Sequence, residues 1–202
     1  EKIDPLRFIG NYSSGKMGFA LAEACAERGA EVTLVAGPVS LKTHHPAIKR
    51  IDVESAGEMY QAAMTAFPSS DAAILCAAVA DYRPENASEQ KIKRETEREM
   101  TLHLVPNPDI AASLGAIKRE GQVMVGFALE TNDEATHAEG KLKRKNLDFI
   151  VLNSLRDQGA GFRCDTNKIT IIDNAGGVTS YPLKTKREVA CDIVNKLVTL
   201  LK

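Results

Sequence analysis

An α/β fold is predicted: a doubly wound, mostly parallel sheet extended at its C-terminal end by an antiparallel hairpin. Three observations predict it. Short apolar runs alternate along the chain with segments of helical period, the order that βαβ units require. Three of those runs, 71–80, 123–129 and 148–153, lack the polar alternation of a half-exposed strand and read as strands buried on both faces. Two further runs, 168–173 and 178–183, flank Asn174, Ala175, Gly176 and Gly177, which read as the turn of a hairpin.

Taken in order, Pro5 bars an early helix, and Asn11, Ser13 and Ser14 are residue types that cap one. After Gly15 the spacing of Met17, Leu21, Ala24 and Cys25 buries one stripe, so a helix spans 15–28 and stops at Gly29. A strand at 31–36 closes at Gly37 and Pro38, a loop with Pro and His follows, and 48–53 reads as the next strand. Ser55 caps a helix that turns Met59, Ala63, Ala66 and Phe67 inward and ends at Pro68. The apolar run 71–80 reads as a central parallel strand and leads into Asp81. Residues 81–98 are charged and irregular, a long loop of the functional kind. A strand at 101–105 precedes Asn107, Pro108 and Asp109, which supply a cap, a first-turn proline and a first-turn acid. The strand 123–129 runs into Glu130, Thr131 and Asn132; a helix at 133–146 then places Lys141 and Lys145 one turn apart on one face. The strand 148–153, a glycine loop at 159–163, the hairpin, and an amphipathic helix at 186–201 with Val189, Ile193 and Leu197 inward complete a Rossmann-like pattern. The first helix of such a pattern follows a strand, and residues 1–9 are too polar and too short to be it, so a preceding strand is expected.

The turn at 10–18 carries the first chemical signal. A helix start presents free N–H groups, glycines at 15 and 18 allow close approach of a ligand, and Lys16 adds positive potential. Together these describe an anion cradle, against the competing reading of a glycine-turned helix start with no ligand. Two familiar motifs fit poorly. The spacing from Gly10 to Lys16 copies a nucleotide-binding phosphate loop, yet Met17 stands where a hydroxyl would hold magnesium. Tyr12 and Lys16 copy the Y-x-x-x-K of short-chain dehydrogenases, yet no G-x-G-x-x-G occurs.

Charge and composition narrow the function further. The 26 basic and 27 acidic residues nearly cancel, so binding of nucleic acid or of a membrane surface by bulk charge is not expected, and an anion must be held by local clusters. No apolar run approaches the about 18 residues of a membrane span, and no signal-peptide layout is present; a cytoplasmic location is expected. Cys25, Cys76, Cys164 and Cys191 are far apart, without a C-x-x-C pair, and predict neither a disulfide framework nor a zinc site. A single domain over 1–202 suits the length.

At the carboxyl edge of the predicted sheet the turn at 10–18, Asp81, the basic segment with Lys91, Lys93 and Arg94, the helix start at 107–110, and Lys141 with Lys145 would converge. One carboxylate amid cations and two helix dipoles suits a polyphosphate with a magnesium ion. Each piece has a plainer reading: the lysines as solvated faces, Asp81 as a turn former.

The segments Asp4-Pro-Leu-Arg-Phe-Ile-Gly-Asn-Tyr-Ser-Ser-Gly-Lys-Met-Gly18, Ala77-Ala-Val-Ala-Asp-Tyr-Arg-Pro84, Lys91-Ile-Lys-Arg94, Asn107-Pro-Asp-Ile110, Val125-Gly-Phe-Ala-Leu-Glu-Thr-Asn132 and Lys145-Asn-Leu-Asp148 resemble phosphopantothenate–cysteine ligase, the CoaB domain of the bacterial bifunctional coenzyme A biosynthesis protein. The resemblance covers six motifs in the family's order. It implies a CTP-dependent ligation of 4′-phosphopantothenate to cysteine with Mg2+, through an acyl cytidylate. It further implies Lys91 as the residue of the first step and Asp81 as the holder of the magnesium–triphosphate. Ser13, Ser14 and Gly15 would hold phosphate, with Lys141 and Lys145 on CTP. Leu75, Cys76, Ala77, Pro108, Asp109, Ile110, Ala111 and Phe127 would surround the nucleoside. Asn11, helped by Arg7, would serve the second step. By the same resemblance the protein is a homodimer, to which the hairpin 168–183 is expected to contribute as an exposed ribbon. FMN belongs only to a decarboxylase domain fused or associated upstream. Three departures stand out: the family's first strand with its Gly-Pro-Thr loop and the decarboxylase domain are missing from these residues, and Gly10 replaces a commonly hydroxylated residue. An NAD(P)-dependent oxidoreductase and a non-catalytic nucleotide sensor are the rival functions, separated from the ligase by NADPH binding and by any need for Lys91.

Overall fold

A computed structural model describes residues 1–93, 99–130, 134–154 and 164–201, with the backbone alone at 130, 134–137 and 154. The architecture is three-layered α/β, with a mixed five-stranded sheet at its centre and helices on both faces. In chain order the elements are α1 (Lys16–Glu27), β1 (Val32–Ala36), β2 (Ile48–Asp52), α2 (Ala56–Ala66), β3 (Ala72–Leu75), β4 (Tyr82–Pro84), β5 (Leu104–Pro106), α3 (Ile110–Ile117), β6 (Val123–Glu130), α4 (Glu134–Arg144), β7 (Phe149–Ser154), β8 (Thr166–Asn167), β9 (Ile169–Asp173), β10 (Val178–Ser180), β11 (Lys184–Thr185) and α5 (Lys186–Leu200).

The main sheet runs β10-β9-β7-β6-β3. β3, β6 and β7 are parallel, and β9 joins β7 antiparallel with Ile150 opposite Ile172. The predicted hairpin is therefore fused to the parallel sheet, as the fold class required. Its turn places Gly176 at φ 88, a conformation in which a side chain is costly. β1 and β2 form a separate parallel pair, and β4 pairs antiparallel with β5.

Period-two alternation sorts the core. Val123, Val125, Phe149, Val151, Ile169 and Ile171 face α1 and α5, whose Met17, Leu21, Val189, Ile193 and Leu197 close one layer. Met124, Ala128, Ile150, Leu152 and Ile172 face the other way, against Phe67, Leu114, Ala138 and Leu142. Phe149 and Met124 are wholly buried, and full burial of side chains that size contributes about 1.5–3 kcal/mol each. α5 begins with a capping box in which Thr185 and Glu188 exchange bonds with each other's backbone N–H. Among the described residues no helix is long and apolar enough to cross a membrane.

Several expectations change at this level. The run 71–80 forms a ladder only over Ala72–Leu75, and all four of those residues are half-buried. Among the described residues β3 is an edge of its sheet, not a centre. Residues 82–84, expected as loop, pair with 104–106. The glycine loop 159–163 lies outside the described residues, as do Arg94, Thr131 and Asn132.

Candidate functional site

The site is organised by residues 1–15, which cross the carboxyl ends of the strands before entering α1. Asp4 fixes that loop. It is 2 % exposed; its Oδ1 accepts from the N–H of Leu6 and of Arg7 at 2.8 Å each, and its Oδ2 accepts from Arg7 Nε at 2.9 Å and Ile92 N at 3.1 Å. The Arg7 guanidinium beside it, and those backbone donors, hold its carboxyl well below the usual carboxylate range. Arg7 Nη2 also donates to the carbonyl of Ile92 at 2.8 Å. Arg7 and Asp4 thus clamp the segment that carries Lys91. Ser88 N, bonded to Ile3 O at 2.9 Å, adds a second tie.

Asn11 brackets the serine turn. Its Oδ1 accepts from Ser13 N at 2.9 Å, and its Nδ2 donates to the carbonyl of Ala78, just beyond β3. The second hydrogen on Nδ2 stays available to a ligand. Gly15, at φ 77, is the N-cap of α1 and supplies no side-chain cap. Ser13 and Ser14 do not cap the helix, contrary to expectation, because the chain turns through the left-handed glycine instead. The first-turn N–H groups therefore have no capping side chain, the condition for binding an anion there. A Cβ on Gly15 would stand 3.1 Å from Val39, so space as well as φ favours glycine. Lys16 reaches Asp165 at 2.6 Å, so its charge is partly offset.

The second predicted helix start differs in construction. Asp109, not Asn107, caps α3, its Oδ1 accepting from Ala112 N at 3.0 Å. Its Oδ2 pairs with Lys145 Nζ at 3.0 Å. Desolvation alone would raise the Asp109 pKa; the bonds to Ala112 and Lys145 outweigh it and lower the pKa. This start already holds a negative charge, so it is not a second open anion cradle. Asn107 instead latches the strand exit: Nδ2 donates to Ala80 O at 2.9 Å, and its N–H to Asp81 O at 2.8 Å. That leaves the Asp81 carboxylate at the rim, exposed.

These elements enclose one cavity of about 2570 Å³. Arg7, Asn11, Ser13, Ser14 and Gly15 line it, together with Leu75, Cys76, Ala77 and Asp81. Pro108, Asp109, Ile110, Ala111, Phe127, Lys141 and Lys145 line it too. Lys91 is exposed and lies outside that lining, held one residue from the Ile92 clamp. The convergence expected from sequence is thus present except at the basic segment: Lys91 and Lys93 lie outside the lining, Lys91 tethered beside the cavity, and Arg94 is outside the described residues. Burial pushes the Cys76 thiol up to about 12, so at neutral pH it is an apolar wall and not a nucleophile.

Sequence reading missed three groups here. Asp4 was quoted as part of a motif, but its clamp on Ile92, 88 residues away, has no local signal. Lys186, only 7 % exposed, lines the cavity and donates to Cys164 O at 2.5 Å; burial, with Lys16 nearby, lowers its pKa. Asn153 Oδ1, at the end of β7, is buried without a partner among the described residues. The magnesium expectation meets a fitting donor set: one rim carboxylate and, among the described residues, no cluster of three or more His, Cys, Asp or Glu. An ion taking most of its ligands from phosphate oxygens and water needs no more than that.

Comparison with known proteins gives one family for the whole chain. The DNA/pantothenate metabolism flavoprotein C-terminal domain matches residues 1–201. A protein from an unknown prokaryotic organism, called cysteine/cysteine sulfinic acid decarboxylase, is 58% identical over 201 residues, 100% of this chain and 56% of that protein. The coenzyme A biosynthesis bifunctional protein CoaBC of Vibrio parahaemolyticus serotype O3:K6 is 48% identical over 202 residues, 100% of this chain and 50% of that protein. This chain therefore spans about half the length of the curated relatives it matches. Among solved structures, the C-terminal domain of a coenzyme A biosynthesis bifunctional protein CoaBC is 38% identical, with a TM-score of 0.82 over 99% of this chain and 89% of that one.

Proposed function

The chain belongs to the family of the DNA/pantothenate metabolism flavoprotein C-terminal domain, and from that premise we propose that it is a ligase of coenzyme A biosynthesis, joining 4′-phosphopantothenate to L-cysteine at the expense of CTP. The observation that carries this reading is the single cavity shared by the uncapped start of α1, Asp81 and the lysines of α4. A carboxylate is repelled by a triphosphate, so a site that joins them must first cancel charge. The free N–H groups at the start of α1, with Ser13 and Ser14, serve one phosphate, and Lys141 and Lys145 serve others. Asp81 would hold magnesium, which when bound offsets triphosphate charge.

In the first step a carboxylate oxygen of 4′-phosphopantothenate forms a bond to the α-phosphorus of CTP, and the α–β bridging bond breaks to release pyrophosphate. Lys91, kept beside the cavity by the clamp of Asp4 and Arg7 on Ile92, neutralises the transferring oxygens. In the second step the cysteine amine attacks the acyl carbon, the acyl C–O bond breaks, CMP leaves with the electron pair, and the amine gives up a proton. Asn11 orients the acyl phosphate through the Nδ2 hydrogen not used on Ala78. Arg7 acts as a positioning residue in this scheme. Leu75, Cys76, Ala77, Phe127 and the segment 108–111 pack around the nucleoside. Residues 1–202 would work as one CTP-binding domain, and two copies would pair through β10, whose three residues are all exposed; sedimentation as a monomer would overturn that pairing.

The test is incubation of the protein with 4′-phosphopantothenate, cysteine and each nucleoside triphosphate. Pyrophosphate release with CTP, dependent on 4′-phosphopantothenate, is expected. Release independent of 4′-phosphopantothenate, or no release at all, overturns the reading.

A further inference from the structure

We infer that Lys186 is a further ligand of the nucleotide: its ammonium, set with Lys16 at the start of α1, receives the terminal phosphates and meets the charge of the departing pyrophosphate. The inference rests on the ligase reading for the identity of that anion, and adds to it a residue from the far end of the chain.

The first support is position. Lys186 opens α5, and its backbone N–H donates to Asp165 O at 2.9 Å. The side chain of the same Asp165 holds Lys16 Nζ at 2.6 Å. Two residues on, Asn167 is 3 % exposed and directs its Nδ2 at Met17 Sδ, 3.6 Å away in the first turn of α1. The segment 165–167 thus stitches the start of α5 to the start of α1, and both helices lie in one layer against the same sheet face. Lys16, Asn167 and Lys186 all border the cavity of the site. Two lysines and two helix N-termini therefore meet at its wall, and the positive ends of the two dipoles add to the two ammonium charges.

The second support is burial. Lys186 is 7 % exposed, a degree of cover that lysine almost never has unless it is paired. Its Nζ donates to Cys164 O at 2.5 Å, a neutral acceptor. Asp165, a carboxylate whose field bears on it, is already paired with Lys16, and its side chain is 85 % exposed, so it offsets the two lysines weakly. Glu188, the acid in the first turn of α5, is turned back on Thr185 by the capping box. Burial, and after it Lys16, pull the Lys186 pKa below its ordinary value. A buried ammonium in that setting is balanced by an anion that arrives from the cavity.

Chemistry chooses among the anions. The turn at 11–16 has two ends. Asn11 at its front is tied to Ala78, where the acyl group would react; Lys16 at its back is tied to Asp165 and leads to Lys186. Between them stand the N–H groups of α1 that no side chain caps. Lys186 also draws the Cys76 thiol down against the larger effect of burial, so its ammonium lies within electrostatic reach of the wall expected around the nucleoside. An anion that joins the start of α1 to a nucleoside at Cys76 is the triphosphate of the nucleotide, not the phosphate of 4′-phosphopantothenate. As the α–β bridging bond breaks, its electron pair stays on the oxygen that leaves with the β-phosphate, and the charge of the pyrophosphate rises. A desolvated ammonium there favours the departing state over the intact triphosphate.

The experiment measures binding of inorganic pyrophosphate, CTP, CMP and 4′-phosphopantothenate by calorimetry, each with Mg2+, to the parent and to three variants. In Lys186→Gln, whose amide can still donate to Cys164 O, pyrophosphate and CTP should bind more weakly by roughly 10- to 100-fold, the effect of losing a charge-assisted bond. CMP and 4′-phosphopantothenate should stay within about twofold of the parent, since neither brings a phosphate to this lysine. Lys186→Arg keeps the charge and should recover most of the pyrophosphate affinity, a rescue that a merely structural role would not give. Lys184→Gln is the control: Lys184 is paired to Asp192 and lies outside the lining, so the same change of charge should leave all four affinities unaltered. An equal loss for CMP and pyrophosphate, a loss confined to 4′-phosphopantothenate, an arginine variant as weak as the glutamine one, or no loss at all would overturn the inference, as would a parent that binds no pyrophosphate. The ligase reading fails separately: pyrophosphate bound by the parent and lost in Lys186→Gln upholds Lys186 as a phosphate ligand even where CTP is not consumed.

Discussion

Gly115→Ala tests whether the site depends on the close approach of α3 to the end of α4. A Cβ at position 115 would stand 2.2 Å from the carbonyl oxygen of Lys145 and 2.8 Å from its carbon. Cβ contacts essentially never fall below 3.0 Å, so backbone must give by about 0.8 Å, and no flexible side chain is there to absorb it. The displaced segment carries Lys145, paired to Asp109 at 3.0 Å, and Asn146, whose Nδ2 donates to Gly115 O at 3.0 Å. Overpacking of this kind costs about 2 kcal/mol. For a chain of this size that lowers Tm by about 4–8 °C. Gly140→Ala is the control: it lies in α4 with nothing within 4 Å of its added methyl, and alanine should stabilise the helix by about 0.5–1 kcal/mol. Thermal melts by circular dichroism read the stability difference, and CTP titration reads the shift of Lys145, expected to weaken binding about fivefold, the worth of roughly 1 kcal/mol. Opposite signs of ΔTm for the two variants are required; a Gly115→Ala protein that melts with or above the parent refutes the argument.

Three further outcomes follow from the site. Lys91→Gln should lower pyrophosphate release by on the order of 100-fold with Tm unchanged, because the side chain is exposed but neutralises transferring oxygens; undiminished release removes Lys91 from the first step. Asn11→Asp should still release pyrophosphate and accumulate the acyl cytidylate, detectable by mass spectrometry, since only the second step uses its amide; normal turnover to product counts against that role. Asp4→Asn should flatten the acid limb of the stability curve. The Asp4 pKa is lowered from 3.8 on folding, so its contribution is present above the unfolded value and is lost as pH falls below about 4 toward the folded value. Tm measured from pH 6 to pH 2 should fall less steeply in the variant, and parallel curves would mean that the clamp on Arg7 and Ile92 does not stabilise the fold.

The helices and the interior strands were legible because their signals are local. Met17, Leu21 and Ala24 keep one helical stripe, and Val123 to Val125 and Phe149 to Leu152 are buried on both faces as continuous apolar runs should be. Thr185-x-x-Glu188 is a local signal of the same kind, a capping box that marks the start of α5 to the residue. What sequence could not give depends on distance. β4 is three residues of charged context that become a strand only because Leu104, Val105 and Pro106 lie opposite. Asp4 is an acid after a lysine-bearing segment until Ile92 arrives. Asn107 fits a cap rule, yet Asp109 wins the cap because Asn107 is drawn to the carbonyl of Ala80. Lys186 opens a helix at a position where a cation is disfavoured by the dipole, and nothing local reports that its neighbours bury it.

The location of the site follows from the way the chain divides around the sheet. α1 returns along one face to β1, whereas α2 passes along the other on its way from β2 to β3, so the connections diverge above the space between β1 and β3. A crevice opens where connections part, at the carboxyl ends of the strands, and ligands of doubly wound sheets bind there. In this protein the loop at 1–15 spans that crevice from Ala56 to Ala78 and is riveted to the Lys91 segment by Asp4. The elements that would hold phosphate, nucleoside and magnesium arrive from separate parts of the chain, and the same loop sets their spacing. A change in the sheet beneath that loop would therefore reach the chemistry through Glu1 and Asn11, the two points at which the loop is tied to Ala56 and Ala78.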